Sequence, residues 1–283
     1  MASHRFYLSA DSADAGLTTT SLGTARSLDR RGIRVAFCKP ISQRPVTEED
    51  VDPSILFAEQ LLSIKPPTPI DLAEAERYIR ENKVDDLMER VVEMVESLCE
   101  KADVLVIEGL LSEESQTFKN RLNRDVARAI GGEILYVGRY GGDISHSFSA
   151  TIEMAASVHG GISNPSVVGC IANRIPYGEG ESEEPPADWA DRIRREIASE
   201  SKIFDKEGLD IVGCIPENPS LRAVRTRDVA EFLEAEVLFS GDQELRRVHS
   251  IDLCARHVTN LLHVLKPGSL ILTPSDRDDV LMA

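Results

Sequence analysis

Apolar positions along this chain fall into two kinds of run that take turns. Short unbroken stretches (RFYLS at Arg5–Ser9, IRVAFC at Ile33–Cys38, DVLVI at Asp103–Ile107, EILYV at Glu133–Val137, SVVGCIA at Ser166–Ala172 and DIVGCI at Asp210–Ile215) have the length of strands and little alternation. Such runs fit strands covered on both faces. Between them the apolar residues recur three and four apart. The clearest case is Val84–Ala102, where Val84, Leu87, Met88, Val91, Val95, Leu98 and Cys99 share one helical face and the other face is acidic. Further helices are expected at Thr18–Arg31 (closed by Gly32), Ser54–Ser63, Arg121–Ile130, Ser145–His159 and Ala187–Lys206. Strands that alternate with helices predict an α/β fold, a parallel sheet flanked by helices. The acidic Gly- and Pro-rich segment Tyr177–Pro186 reads as a mobile surface loop. After Asn218 a smaller pattern begins: a helix at Thr226–Glu234, a strand at Ala235–Ser240, then strand, helix and strand at Val248–Ala255, Arg256–Leu265 and Ser269–Thr273. The expected division is therefore residues 1–218 and residues 219–283.

The candidate chemistry sits in the loops just after the strands. The first strand runs into ADSADAGLTTTSLG, a loop of small residues before a helix. Strand, loop, Gly, Thr and helix is the order of a phosphate-binding loop, whose backbone N–H groups cradle an anion at the helix N-terminus. The candidate anion- or nucleotide-binding positions there are Asp11, Ser12, Gly16, Leu17, Thr18 and Thr19. A working loop has Lys where Leu17 stands, and that charge stabilises the phosphate in transfer. Lys39 comes after the second strand, Glu108 after the third and Asn173 after a later one. Parallel strands end on one edge, where open α/β sheets bind ligands, so the four features are expected in one crevice. Lys39 would offer a cation and Asn173 an amide for a purine edge. If Mg²⁺ were bound with a nucleotide, Thr18 and Glu108 would be its ligands. The plain alternative for Gly16 and Thr18 is a tight turn and a helix cap.

Composition narrows the partners. The 283 residues carry a formal net charge of −16 and are 42% hydrophobic, enough for a full core. That charge argues against nucleic acid, which is held through Lys and Arg, and against an anionic membrane. No apolar stretch has the length of a membrane span. Five scattered cysteines with no CxxC pattern read as buried reduced thiols, and the expected compartment is the cytoplasm.

The loop AGLTTTSLG, FCKPIS (Phe37–Ser42), VIEGLL (Val106–Leu111) and Asn173 resemble dethiobiotin synthetase and its ATP-using relatives. With GCIPENPSLRAVRTRDVAEFL (Gly213–Leu233), RRVHSIDLCAR (Arg246–Arg256) and GSLILTPSDRDDVL (Gly268–Leu281), the whole chain is similar to the N-terminal region of long-form phosphate acetyltransferases. Gly-Leu-Thr in place of Gly-Lys-Thr is typical of that family. The resemblance implies a degenerate P-loop NTPase-like domain followed by part of a smaller α/β DRTGG-like domain. It also implies homo-oligomers, response to a small metabolite, and a C-terminal transferase domain as the covalent partner. That domain lies outside these residues, so no catalytic residue is carried over. Ala10 and Leu17 depart from the synthetase pattern, which weakens the alternative of an ATP-dependent ligase; a ligand-free scaffold is the third reading. Arg225, Arg227, Arg246 and Arg247 are expected to meet a partner subunit or an anion.

Overall fold

Unbroken apolar runs form strands because each of their side chains finds cover, and the computed structural model shows that cover on both faces. It describes residues 4–43, 45–46, 51–111, 117–141, 147–177, 185–205, 209–218, 221, 223–254 and 266–282. These divide into two units, one up to Glu217 and one from Asn218 onward.

The first unit begins with β1 (His4–Ala10), α1 (Leu17–Asp29), β2 (Val35–Cys38), the short β3 (Ile41–Ser42), α2 (Pro53–Leu61), the short β4 (Ile70–Asp71), α3 (Leu72–Arg80) and α4 (Val84–Cys99). It continues through β5 (Val104–Glu108), α5 (Thr117–Ala129), β6 (Glu133–Arg139), α6 (Phe148–Ser157), β7 (Val167–Ile175), α7 (Trp189–Glu200), a 3₁₀ turn and β8 (Asp210–Pro216). Six strands form one sheet in the order β2-β5-β1-β6-β7-β8, and every pairing is parallel. Successive side chains point to opposite faces of a strand. On β5, Leu105 and Ile107 accordingly join one core, with Leu87, Val91 and Val95 of α4. Val106 joins the other, with Leu22 and Ala25 of α1 and Ile55 of α2. The result is a sheet between two helical layers.

The six strands predicted for this unit all exist, with ends shifted by up to three residues. α3, β3 and β4 had no sequence signal. The predicted Ser145–His159 helix is described from Phe148, and most of the segment at 177–186 lies outside the described residues.

The second unit has β9 (Val224–Arg225), α8 (Thr226–Phe232), β10 (Arg247–Val248), β11 (Ser250–Leu253), β12 (Ser269–Leu272) and a last turn of helix, α9 (Asp278–Leu281). β9 pairs antiparallel with β10, and β11 parallel with β12. Ala235–Ser240, expected as a strand, is irregular, and Leu238 and Phe239 there are exposed. Among the described residues no strand pairs with its apolar run. The expected helix at 256–265 lies outside the described residues. Arg225 is paired with Asp228, Arg227 with Glu231 and Glu244, and Arg247 donates to the Ala223 carbonyl.

Candidate functional site

The C-terminal ends of β1, β2, β5 and β7 share one edge of the sheet, and the predicted residues meet there. Gly16 opens α1 in the left-handed conformation, at φ 80°. A Cβ on it would stand 2.6 Å from the Asn173 amide nitrogen, so the position needs glycine twice over. Asn173 is tied to this loop. Its Nδ2 donates to the Ala15 carbonyl at 2.7 Å and to the Thr20 hydroxyl at 3.3 Å, and its Oδ1 accepts from the Arg174 N–H at 2.9 Å. The amide thus fastens β7 to the loop with the same atoms that would read a base edge.

Leu17 is 2% exposed and belongs to the core cluster with Leu8, Val106 and Leu135. It points inward as a core residue, and Thr19 is exposed. Asp11 is largely buried, and its Oδ1 accepts from the Ser12 hydroxyl at 2.9 Å. Burial is the main cause that pushes its carboxyl up to about 6, against that hydrogen bond. Asp14 pairs with Arg139 and Arg174.

Thr18, Lys39 and Glu108 form a single network, together with three residues not among the sequence-predicted site residues: Ser42, Asp52 and Ser54. The Lys39 ammonium is buried and lies 3.0 Å from Glu108 Oε1, 3.1 Å from Ser54 Oγ, and 3.2 and 3.1 Å from Asp52 Oδ1 and Oδ2. Thr18 and Ser54 both donate their hydroxyl to Glu108 Oε1 at 3.0 Å, and Ser42 donates to Asp52 Oδ2 at 2.7 Å. Asp52 has a second task, capping α2 by accepting from the Ser54 N–H at 2.9 Å, with Pro53 at the first helical position.

The network holds one ammonium and two carboxylates. Burial works against the charge of Asp52, but the Ser42 hydrogen bond and the Lys39 ammonium outweigh it and hold the carboxyl below its ordinary range. At Glu108 burial wins over the same ammonium and the two hydroxyls, and its carboxyl is pushed up. Glu108 Oε2 is buried without a hydrogen-bond partner among the described residues. Glu108 also borders a void of about 10 Å³ shared with Tyr7, Gly109 and Asn123, about the room of one water. Beside it Asn123 clasps the chain after β5: it accepts from the Tyr7 hydroxyl at 2.7 Å and the Leu110 N–H at 2.8 Å, and donates to the Leu110 carbonyl at 2.9 Å.

A Mg²⁺ ion does not fit this donor set as it stands. Mg²⁺ asks for oxygens at about 2.0–2.1 Å and keeps several waters. Here the Thr18 hydroxyl is directed at Glu108, and the oxygens around Lys39 stand at ammonium hydrogen-bond distance. No group of three or more His, Cys, Asp or Glu able to hold a metal occurs among the described residues.

Sheet, Gly16 loop and acidic end of β5 together define a P-loop NTPase-like α/β fold. The chain belongs to the AAA domain family, which it matches over residues 4–225, and residues 228–283 match the DRTGG domain. Its relatives include proteins named phosphate acetyltransferase. That of Pseudomonas putida is 35% identical over 278 residues, 98% of this chain and 39% of its own length. That of Pseudomonas aeruginosa is 33% identical over 280 residues, 99% and 39%. That of Escherichia coli is 30% identical over 275 residues, 95% and 38%. The chain thus spans 38–39% of the length of these relatives. No helix among the described residues is long and apolar enough to cross a membrane. All five cysteines are free, four of them buried.

Proposed function

We propose that this chain is a regulatory and oligomerisation region of a phosphate acetyltransferase, the enzyme that interconverts acetyl-CoA and phosphate with acetyl phosphate and CoA. Its covalent partner is then a C-terminal transferase domain, its assembly a homo-oligomer, and its compartment the cytoplasm. A small-metabolite effector acts through it by binding one state of the assembly better than another. The observation that carries the reading is the inward, core position of Leu17. The loop keeps its backbone shape, while the position where a Lys would stabilise a transferring phosphate is held by a leucine in the hydrophobic core. The buried cysteines support a reducing compartment.

The same observation weighs against a free-standing ATP-dependent ligase. Lys39, which that reading would turn toward a substrate, has its three N–H groups directed at Asp52, Ser54 and Glu108. Light scattering on the chain should show a defined oligomer. Assays for ATP hydrolysis and for acetyl transfer from acetyl-CoA to phosphate should stay at the blank. Magnesium-dependent turnover of ATP would overturn the proposal in favour of the ligase.

A further inference from the structure

Thr18, Asp52, Ser54 and Glu108 offer hard oxygen donors at the mouth of a phosphate loop, the chemistry that recruits a divalent cation. The cation actually seated among them belongs to the chain. Four oxygens from Asp52, Ser54 and Glu108 surround the Lys39 nitrogen at 3.0–3.2 Å. Each of the three N–H groups has an acceptor residue, so the ammonium is fully coordinated. Both carboxylates and the ammonium are buried. Expelling the ammonium to admit a metal would leave Lys39 without its partners, and an unpaired buried charge is strongly unfavourable.

We propose that the Lys39 ammonium is the resident cation of this crevice, tethered in the place where a phosphate-loop protein would hold its metal, and that the site takes no divalent ion while Lys39 is present. An anion reaching the Gly16 loop would then be met by backbone N–H groups and by Arg174, whose Nε lies 3.9 Å from a Cβ placed on Gly16, independently of Mg²⁺. The inference goes beyond the regulatory reading and survives or fails separately from it.

The test uses Mn²⁺ as a paramagnetic probe, with the free ion followed by electron paramagnetic resonance in the presence of the full chain. The measured quantity is binding that depends on Glu108, because the acidic surface will hold some Mn²⁺ weakly. Wild type and Glu108→Gln should titrate alike. Lys39→Met should gain one Mn²⁺ at least about tenfold tighter than any surface binding, and Lys39→Met/Glu108→Gln should lose it. Overturning results are a wild-type Mn²⁺ site that Glu108→Gln abolishes, or a folded Lys39→Met that gains none. If Lys39→Met does not fold, wild type against Glu108→Gln still decides. A wild-type metal site without ATP turnover would remove this inference and leave the regulatory reading standing.

Discussion

The two units of the chain treat their apolar side chains in opposite ways. In the first, Tyr7, Leu17, Leu105, Ile107, Leu135 and Ile152 are at most 3% exposed, held between a six-stranded sheet and helices on both faces. In the second, Leu221, Phe232, Leu238, Phe239 and Leu245 are 74–89% exposed. Among the described residues its strands form two-stranded sheets of two and four residues per strand. A two-stranded sheet is marginal alone, and parallel pairs such as β11 and β12 are normally covered on both faces. The first unit therefore holds a core of its own, whereas many large apolar side chains among the described residues of the second lie at the surface.

The buried cation gives the sharpest test of that contrast. Lys39→Met leaves Asp52 and Glu108 without their ammonium and should cost roughly 3–5 kcal/mol, read from urea unfolding. Leu105→Ala, in the middle of β5, should cost roughly 2–5 kcal/mol by the same measurement. Gly16→Ala forces a side chain into the left-handed region and against Asn173; about 1–2 kcal/mol is expected from the backbone alone. An effect of opposite sign comes from Asp11→Asn. The folded carboxyl sits at about 6, above its ordinary 3.8. Between those values the unfolded chain holds fewer protons than the native one, so this group's contribution falls as pH rises. The stability gained by Asp11→Asn over wild type should grow from about pH 4 to about pH 6 and then level off. Leu238→Ala, matched to Leu105→Ala in chemistry, should change stability by no more than about 0.5 kcal/mol. A loss as large as that of Leu105→Ala would break the comparison, because Leu238 would then have to be covered in solution.

The strands of the first unit were legible because burial on both faces leaves an unbroken apolar run, as in Val104–Glu108. The edge that gathers Thr18, Lys39 and Glu108 was legible too, since parallel strands all end on one side. Asp52 and Ser54 were hidden: their role depends on the start of α2 coming back to Lys39 at the end of β2, a tertiary arrangement with no spacing rule. Asp52-Pro53-Ser54 did carry a helix-start signal, and a cap so close after Lys39 was the clue available. Lys39 itself misled, since nothing in KP tells a free ammonium from a paired one. Ala235–Ser240 misled for the converse reason: a run of strand-like residues becomes a strand only if another strand is there to bond with it.

The position of β1 has a consequence for how the protein is made. β1 leaves the ribosome before either of its neighbours, yet it lies in the interior of the sheet, with His4 opposite Val104 on one side and Phe6 opposite Glu133 on the other. It cannot pair on either side until about a hundred further residues have been synthesised. Until then its backbone hydrogen-bonding groups wait without a strand partner, and incompletely paired intermediates of this kind are prone to aggregate. Closure over so long a separation is slow, so folding of this unit is set by the late arrival of β5 and β6.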